Sequence, residues 1–404
     1  MSAIAADMQI TLPGGYALRR LLDQGSFAAV YEAVAPDGTP VAVKLLTSDH
    51  AQAEKRFQRE IKVMRALPRS PLVVRYLDHG ATDDGIPFIV MELIGGSTLA
   101  ARLDDGRKYS ESAACALMMT ICKAFAGLHR LGLTHGDIKP ANIMISRGQA
   151  ARTPRGRKAR DGSVLIAEVE GAAIKLIDFG LVRDAQGLLK LLEEENMMAG
   201  HDFQAELDAG VVMGTPEYIA PEQVTDARTD DARSWRTDTP ADVFGLGVIF
   251  YQLLAGAPPW PFNPSVTSGP EYRRQVVDYL DERATRLGAP ERIDAVSPAL
   301  WSVLCRALHP DPKKRPGDAK QLFEDIERYV LCGVGVPGDL DNEETIMAYL
   351  PDLVPSRRDE AEPEDDEDEA PAASPAPSRR SRQVYVWGGI AAAAATVAAF
   401  LIAH

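Results

Sequence analysis

His135-Gly136-Asp137-Ile138-Lys139-Pro140-Ala141-Asn142 and, further along, Asp178-Phe179-Gly180 are the two runs on which the reading of this chain turns. Asp137 is a carboxylate able to orient an attacking hydroxyl. Lys139, two residues on, can neutralise charge on a migrating phosphate. Asn142 and Asp178 offer the oxygen ligands that a hard cation such as Mg²⁺ takes. A lone Asp-Phe-Gly carries little weight. A D-x-K-x-x-N followed by a strand-like stretch and Asp-Phe-Gly is far more specific, and the pair points to phosphoryl transfer from ATP.

Working outward, Val41-Ala42-Val43-Lys44 reads as a short strand presenting a lysine to nucleotide phosphates. A helical pattern follows with Phe57, Ile61 and Met64 on one face, and Glu60 lies within it, placed to pair with Lys44. Downstream come Met213-Gly214-Thr215-Pro216-Glu217-Tyr218-Ile219-Ala220-Pro221-Glu222, then Asp242 opening an apolar helix, then Arg315 in a His-Pro-Asp-Pro-Lys-Lys-Arg-Pro run. In this order the set resembles the protein kinase superfamily, specifically the eukaryotic-like Ser/Thr kinases of bacteria, over about residues 15–331.

The resemblance implies an α+β, bilobal fold: a small β-rich lobe at 15–93, a larger helical lobe at 94–331, and ATP in the cleft between them. It also implies roles for matching positions. Asp137 is the catalytic base and Lys139 steadies the transferred phosphate. Lys44 holds the α- and β-phosphates, steered by Glu60. Leu22, Val30, Ala42 and Met144 sandwich the adenine, Met91 is the gatekeeper, and backbone groups of Glu92 and Ile94 meet the purine edge. Amides around Gly25 cover the γ-phosphate. Asn142 and Asp178 hold Mg²⁺, or Mn²⁺ in its place. Thr215 belongs to the platform that receives a protein substrate, and Glu222 pairs structurally with Arg315. Lys-Pro after Asp137, together with Thr215, resembles Ser/Thr kinases more than Tyr kinases. The implied enzyme is a phosphotransferase acting on protein Ser/Thr hydroxyls. The platform segment speaks against a small-molecule kinase on the same fold.

Three departures stand against this pattern. The Gly-rich loop, 22–30, keeps only Gly25, with Asp23 and Ala28 at the flanking glycine positions. Fewer glycines stiffen the loop, and Asp23 brings negative charge near phosphates. Gly136 replaces an arginine that in such kinases grips a phosphorylated activation loop. Two insertions, 147–172 and 188–212, fall where regulation often acts. The loop keeps open a rival from another class, a membrane-anchored pseudokinase acting as a nucleotide-binding scaffold. The first insertion is rich in Arg and Lys and reads either as a basic patch for anionic lipid or an acidic partner, or as a solvated hairpin. Between Asp178 and Glu222 there is no serine, and Thr215 and Tyr218 are the sole other hydroxyl acceptors. With Gly136 in place of a phosphate-gripping arginine, activity is expected not to depend on activation-loop phosphorylation.

Composition bounds the remainder. The net charge is −14 over 404 residues. Most of the imbalance lies in 333–383, and the mildly acidic remainder gives no reason to expect nucleic acid binding. Four cysteines without metal spacing suit a reducing compartment, and Cys115 and Cys122 fall on one helical face as core thiols. No secretory signal is expected at the start, and residues 1–14 read as a tail. Residues 332–383 read as an acidic, Pro/Ala/Ser-rich linker, disordered by composition. Residues 384–403 carry no charge and reach ~30 Å as a helix, the thickness of a bilayer core. Arg379, Arg380 and Arg382 precede them, so a single-pass anchor with the kinase domain cytoplasmic is expected. The substrates and the oligomeric state are not legible.

Overall fold

A computed structural model describes residues 11–25, 27–104, 106–147, 172–179, 182–184, 215–226, 239–266 and 269–332. The two insertions (save the strand ends Arg147 and Ala172), Gly180, the linker beyond Cys332 and the apolar segment 384–403 lie outside them.

The N-terminal lobe is an antiparallel sheet with one helix. Its strands are β1 (Thr11–Leu12), β2 (Tyr16–Gln24), β3 (Ala28–Val34), β4 (Pro40–Leu46), β5 (Tyr76–Ala81) and β6 (Pro87–Glu92), ordered β1-β2-β3-β4-β6-β5. Side chains alternate across a strand, and β4 uses both faces. Val41 and Val43 join Leu12, Leu18, Phe88 and Val90 on one side, while Ala42 faces the other with Ile89 and Met91. On that second side lies α1 (Ala51–Ala66), which buries Phe57, Ile61 and Met64 at helical spacing. Each such side chain contributes ~2 kcal/mol by leaving water. Lys44 shares the face of Ala42, so period two alone aims it at α1 and the cleft.

The sheet begins earlier than the expected tail allows. Thr11 and Leu12 pair with Ala17 and Tyr16, Gly15 N–H closes the turn on Leu12 O at 3.0 Å, and Leu12 is buried. Met8, Ile10 and Leu12 alternate with Gln9 and Thr11, a strand-like period that the expectation of a tail passed over.

The C-terminal lobe holds β7 (Ser97–Thr98), α2 (Leu99–Leu103), α3 (Glu111–Arg130), β8 (Leu133–Thr134), β9 (Ile143–Arg147), β10 (Ala172–Leu176) and β11 (Arg183–Asp184). The helices α4 (Pro221–Asp226), α5 (Thr239–Ala255), α6 (Gly269–Arg286), α7 (Pro298–Ala307) and α8 (Ala319–Cys332) follow. Ser110 caps α3, its hydroxyl accepting from Ala113 N–H at 3.3 Å. By length and composition α3 could cross a bilayer, but it is the axis of this core, with Met118, Cys122 and Phe125 buried between α5 and α8. Burial pushes the Cys115 and Cys122 thiols up, which leaves them inert. α5 is apolar on every side and buried throughout its middle, as expected for a central helix.

Candidate active site

The site forms where β4, α1, the 135–142 loop and the end of β10 converge. Lys44 Nζ lies 2.7 Å from both Glu60 carboxylate oxygens and 3.1 Å from Asp178 Oδ1. Glu60 is 3% exposed, so this is a buried ion pair; burial pushes the Glu60 carboxyl up, and Lys44 works against that shift. Burial works against the lysine charge, but the Asp178 and Glu60 carboxylates prevail and hold its ammonium above the usual lysine value. Asp178 is the sole non-glycine residue with positive φ among the described residues, at 66°. That conformation costs about 1–2 kcal/mol, and the Lys44 contact helps to hold it. The Asp178 side chain stays 40% exposed, with carboxylate surface open to the cleft.

Beneath it, Lys139 Nζ reaches Asp137 Oδ2 at 2.7 Å. Asn142 Nδ2 donates to Asp137 Oδ2 at 3.1 Å and to the Asp137 carbonyl at 2.8 Å. Both bonds use the amide nitrogen, which leaves the amide oxygen for a cation. Asn142 O accepts from Ile177 N–H at 3.0 Å, tying the loop to the residue before Asp178. An amide oxygen and an exposed carboxylate are hard donors, and they fit Mg²⁺.

The loop is fastened from below by Asp242, which is 2% exposed. Its carboxylate accepts from His135 N–H at 2.8 Å, Gly136 N–H at 3.1 Å and His129 Nε2 at 3.0 Å. Gly136 has φ of 76°, a left-handed conformation that glycine adopts without the cost an arginine would bear. The His135 ring sits 5.5 Å from the rings of Phe125 and Phe179, joining the loop to the core and to the Asp178 segment.

The expected adenine residues gather along one cleft. Ala42 and Met91 are directly paired across β4 and β6 and are buried, Val30 pairs with Lys44, and Met144 lies on β9 opposite Thr98. Leu22 is 39% exposed at the cleft's edge. Glu92 N–H is already bonded to Arg75 O at 3.0 Å, so its carbonyl is the group left for a purine. Ile94 follows the strand with no backbone hydrogen bond among the described residues.

The β2–β3 loop closes as a tight hairpin, with Gly25 N–H bonded to Ala28 O at 2.9 Å. Asp23 is occupied locally: its Oδ1 accepts from Gln24 N–H at 2.9 Å. Phe27 O accepts from Thr47 N–H at 2.8 Å, and the Phe27 ring lies 5.7 Å from Arg56 of α1. Phe27 is thus docked on the lobe.

Thr215 stands apart from the Asp137 cluster in its bonding: its carbonyl caps the Pro216–Tyr218 turn at 3.1 Å, and no side-chain cap forms. The turn is held by Arg283, whose Nη1 donates to Pro216 O at 2.7 Å and Glu217 O at 2.9 Å while its guanidinium lies 5.3 Å from the Phe244 and Trp260 rings. Arg315 donates to Glu222 at 2.6 and 2.8 Å, the expected pair. Sequence reasoning missed three positions. Arg283, on a polar helix, and Lys175, whose Nζ reaches Glu92 at 2.5 Å, belong to no motif that singles them out. Asp242 was noted only as a helix start, although a carboxylate in an otherwise apolar run signals a buried partner.

Residues 16–326 match the protein family described as Protein kinase domain. The chain is similar to Serine/threonine-protein kinase pkn2 of Myxococcus xanthus, 31% identical over 326 residues, covering 78% of this chain and 32% of that protein. It is also similar to Serine/threonine-protein kinase PknL of Mycobacterium tuberculosis, 32% identical over 291 residues, covering 71% and 58%. Similarity extends to Probable serine/threonine-protein kinase SCO3848 of Streptomyces coelicolor, 28% identical over 323 residues, covering 78% and 40%. The chain spans between 32% and 58% of the length of these curated relatives.

Proposed function

The chain belongs to the protein kinase domain family, and from that premise we propose that it is an ATP-dependent Ser/Thr protein kinase of a signalling pathway, tethered to a membrane through 384–403. The observation that carries the catalytic part is the Lys44–Glu60 ion pair at 2.7 Å, continued to Asp178 at 3.1 Å. A lysine so held is already oriented toward the phosphates before nucleotide arrives, which lowers the cost of reorganisation at the moment of transfer.

Asp137 accepts the hydrogen bond of an incoming Ser or Thr hydroxyl and takes its proton as the new oxygen–phosphorus bond forms. Lys139 and Asn142 fix the carboxylate so that it presents a lone pair toward the cleft. When the transferred phosphoryl group bears its greatest charge, Lys139 shifts part of its interaction onto it. Lys44 grips the α- and β-phosphates; Gly25 N–H is taken by Ala28 O, which leaves the Phe27 amide as the described hairpin donor able to cover the γ-phosphate. Asn142 and Asp178 would hold Mg²⁺, which would supply positive charge against the nucleotide phosphates. Proximity and charge placement supply most of the acceleration in such transfers.

The Gly-rich loop favours the rival reading of a nucleotide-binding scaffold, since two glycines are gone. Against it stand the local capping of Asp23 and the complete set of charged groups. The deciding experiment uses the full chain with radiolabelled ATP, Mg²⁺ and a generic protein substrate. Asp137→Asn should lower transfer by about 10²–10⁴, and Lys44→Met should do likewise, with both variants folded by circular dichroism. Wild-type transfer in Asp137→Asn would overturn the assignment of the base, and no transfer in the wild type would favour the scaffold.

A further inference from the structure

Behind the hinge, on the side away from the adenine cleft, lies a cavity of about 480 Å³. The end of α1, the 67–75 connection, the start of β5, Glu92 and Lys175 line it. Its charged lining is Arg65, Arg69, Arg75 and Lys175 against a single carboxylate, Glu92. Glu92 is committed: it accepts from Lys175 Nζ at 2.5 Å and from Arg75 N–H at 2.8 Å. The three arginines are exposed, and none has an ion-pair partner among the described residues. Between them are apolar surfaces, Leu67, Pro71, Tyr76 and Leu77, the last 37% exposed. A cavity with unpaired cations and apolar walls suits an acidic peptide rather than a neutral or cationic one.

The chain itself carries such a peptide. Residues 359–369 hold nine carboxylates and no cation. About 26 residues separate them from Cys332, and an extended chain of that length reaches ~90 Å. A domain of this size has a radius of gyration of ~20 Å, so the run can reach any face. Tethering also raises its local concentration to about the millimolar range, which a free acidic peptide rarely attains.

We propose that the arginine-lined cavity behind the hinge is the docking site of the chain's own acidic segment, 359–369. The site is joined to the catalytic centre by backbone. Val74 N–H donates to Leu176 O and Leu176 N–H to Leu72 O, each at 2.9 Å, and Leu176 stands two residues before Asp178. A segment seated in the cavity therefore bears on the end of β10, the strand that leads to Asp178. The inference does not require phosphoryl transfer, so a catalytically dead chain should dock equally well.

The test is cross-linking in the full chain, with Cys332→Ser to remove the one exposed thiol among the described residues. Arg69→Cys combined with Asp366→Cys, treated with a short bis-maleimide, should give an adduct within one chain. The adduct should fall at least fivefold with Arg65→Glu and Arg75→Glu together, and also in 1 M salt, where the screening length is about 3 Å. Arg19→Cys, exposed elsewhere on the small lobe, serves as the control partner for Asp366→Cys. Hydrogen exchange across 65–77 should be slower in the unmodified chain than in one with residues 364–369 changed to Asn and Gln. An adduct no better than the Arg19→Cys control, one indifferent to charge reversal, or one only between chains overturns the proposal. Protection at 65–77 that requires added phosphatidylserine vesicles and ignores the acidic run assigns the cavity to membrane lipid instead, and overturns it too.

Discussion

Asp242 shows how one residue can matter to chemistry it never touches. Its carboxylate accepts two backbone N–H groups from the 135–137 loop and one from His129. Asn at this position keeps one acceptor oxygen and places an NH₂ where another acceptor is needed. Breaking such a buried charged cluster costs about 3 kcal/mol, so Asp242→Asn should lower stability by that amount in urea melts and lower kcat through a displaced Asp137. Burial pushes the Asp242 carboxyl up, but the His129 and His135 contacts outweigh it and hold it below the usual carboxylate range. A depressed folded-state value means that the unfolded chain binds the proton first. The stabilisation is therefore full above the unfolded value of about 3.9 and fades as pH falls through the folded value. Wild-type melting temperature should drop more steeply below about pH 4 than that of Asp242→Asn; parallel profiles would show that Asp242 does not carry this dependence. The contacts of Lys44 with Glu60 and of Asp137 with Asn142 were legible because these residues stand in short runs of characteristic spacing. Those of Asp242, Arg283 and Lys175 were not, because the hydrogen-bond partners named above lie 66 to 113 positions away and no spacing encodes them.

At the scale of elements, α5 is a packing surface shaped by two glycines with different neighbours. A Cβ on Gly245 would meet Ile138 Cβ at 2.9 Å, and Ile138 follows Asp137 directly. A Cβ on Gly247 would meet Ala307 and Leu308 at 3.1 Å, in and after α7. Overpacking typically costs about 1–3 kcal/mol, so both Gly245→Ala and Gly247→Ala should lower the melting temperature. Only Gly245→Ala should also lower kcat, measured well below its melting temperature, because only there does the displaced neighbour belong to the catalytic loop. Equal kcat losses in the two variants would refute that division. Long periodic elements such as α1, α3 and α5 followed from apolar spacing. Thr11–Leu12 stands outside that set: the alternation from Met8 to Leu12 is short, and pairing with Ala17 and Tyr16 is what defines the strand.

For the whole molecule, Glu92 with Lys175 is a side-chain tie between the lobes at the back of the hinge, beside the backbone bonds of Leu176 to Leu72 and Val74. It joins β6 of the small lobe to β10 of the large one. Lys175→Met removes the charge while keeping the stem. The loss should be about 1 kcal/mol, read as a few-fold higher KM for ATP with kcat little changed; identical KM and melting temperature would mean that the pair does not govern lobe position. The proposed anchor belongs to this scale as well. Residues 384–404 fused to a soluble reporter should carry it to a membrane, with the reporter on the cytoplasmic face, and it should resist alkaline carbonate extraction. Recovery of the fusion in the soluble fraction would remove the membrane claim.

The order of Lys44, Glu60, Asp137, Lys139, Asn142 and Asp178 along the chain determined, without any coordinates, the family, the bilobal plan and the identity of the charged centre. These groups sit in short runs whose local conformation brings each near its neighbour: Asp137 beside Lys139 and Asn142, and Lys44 on the α1 face of β4 by strand alternation. What the tertiary structure alone decided was whether distant runs meet with their charges satisfied. Lys44 and Asp178 are 134 positions apart, and their 3.1 Å contact exists because α1, β4 and β10 converge on one buried core. The docking of Phe27 on the lobe, the local capping of Asp23 and the arginines behind the hinge that have no ion-pair partner among the described residues are of the same kind. Each depends on which surfaces the core brings together, and burial acts between residues whose separation along the chain carries no information about their separation in space.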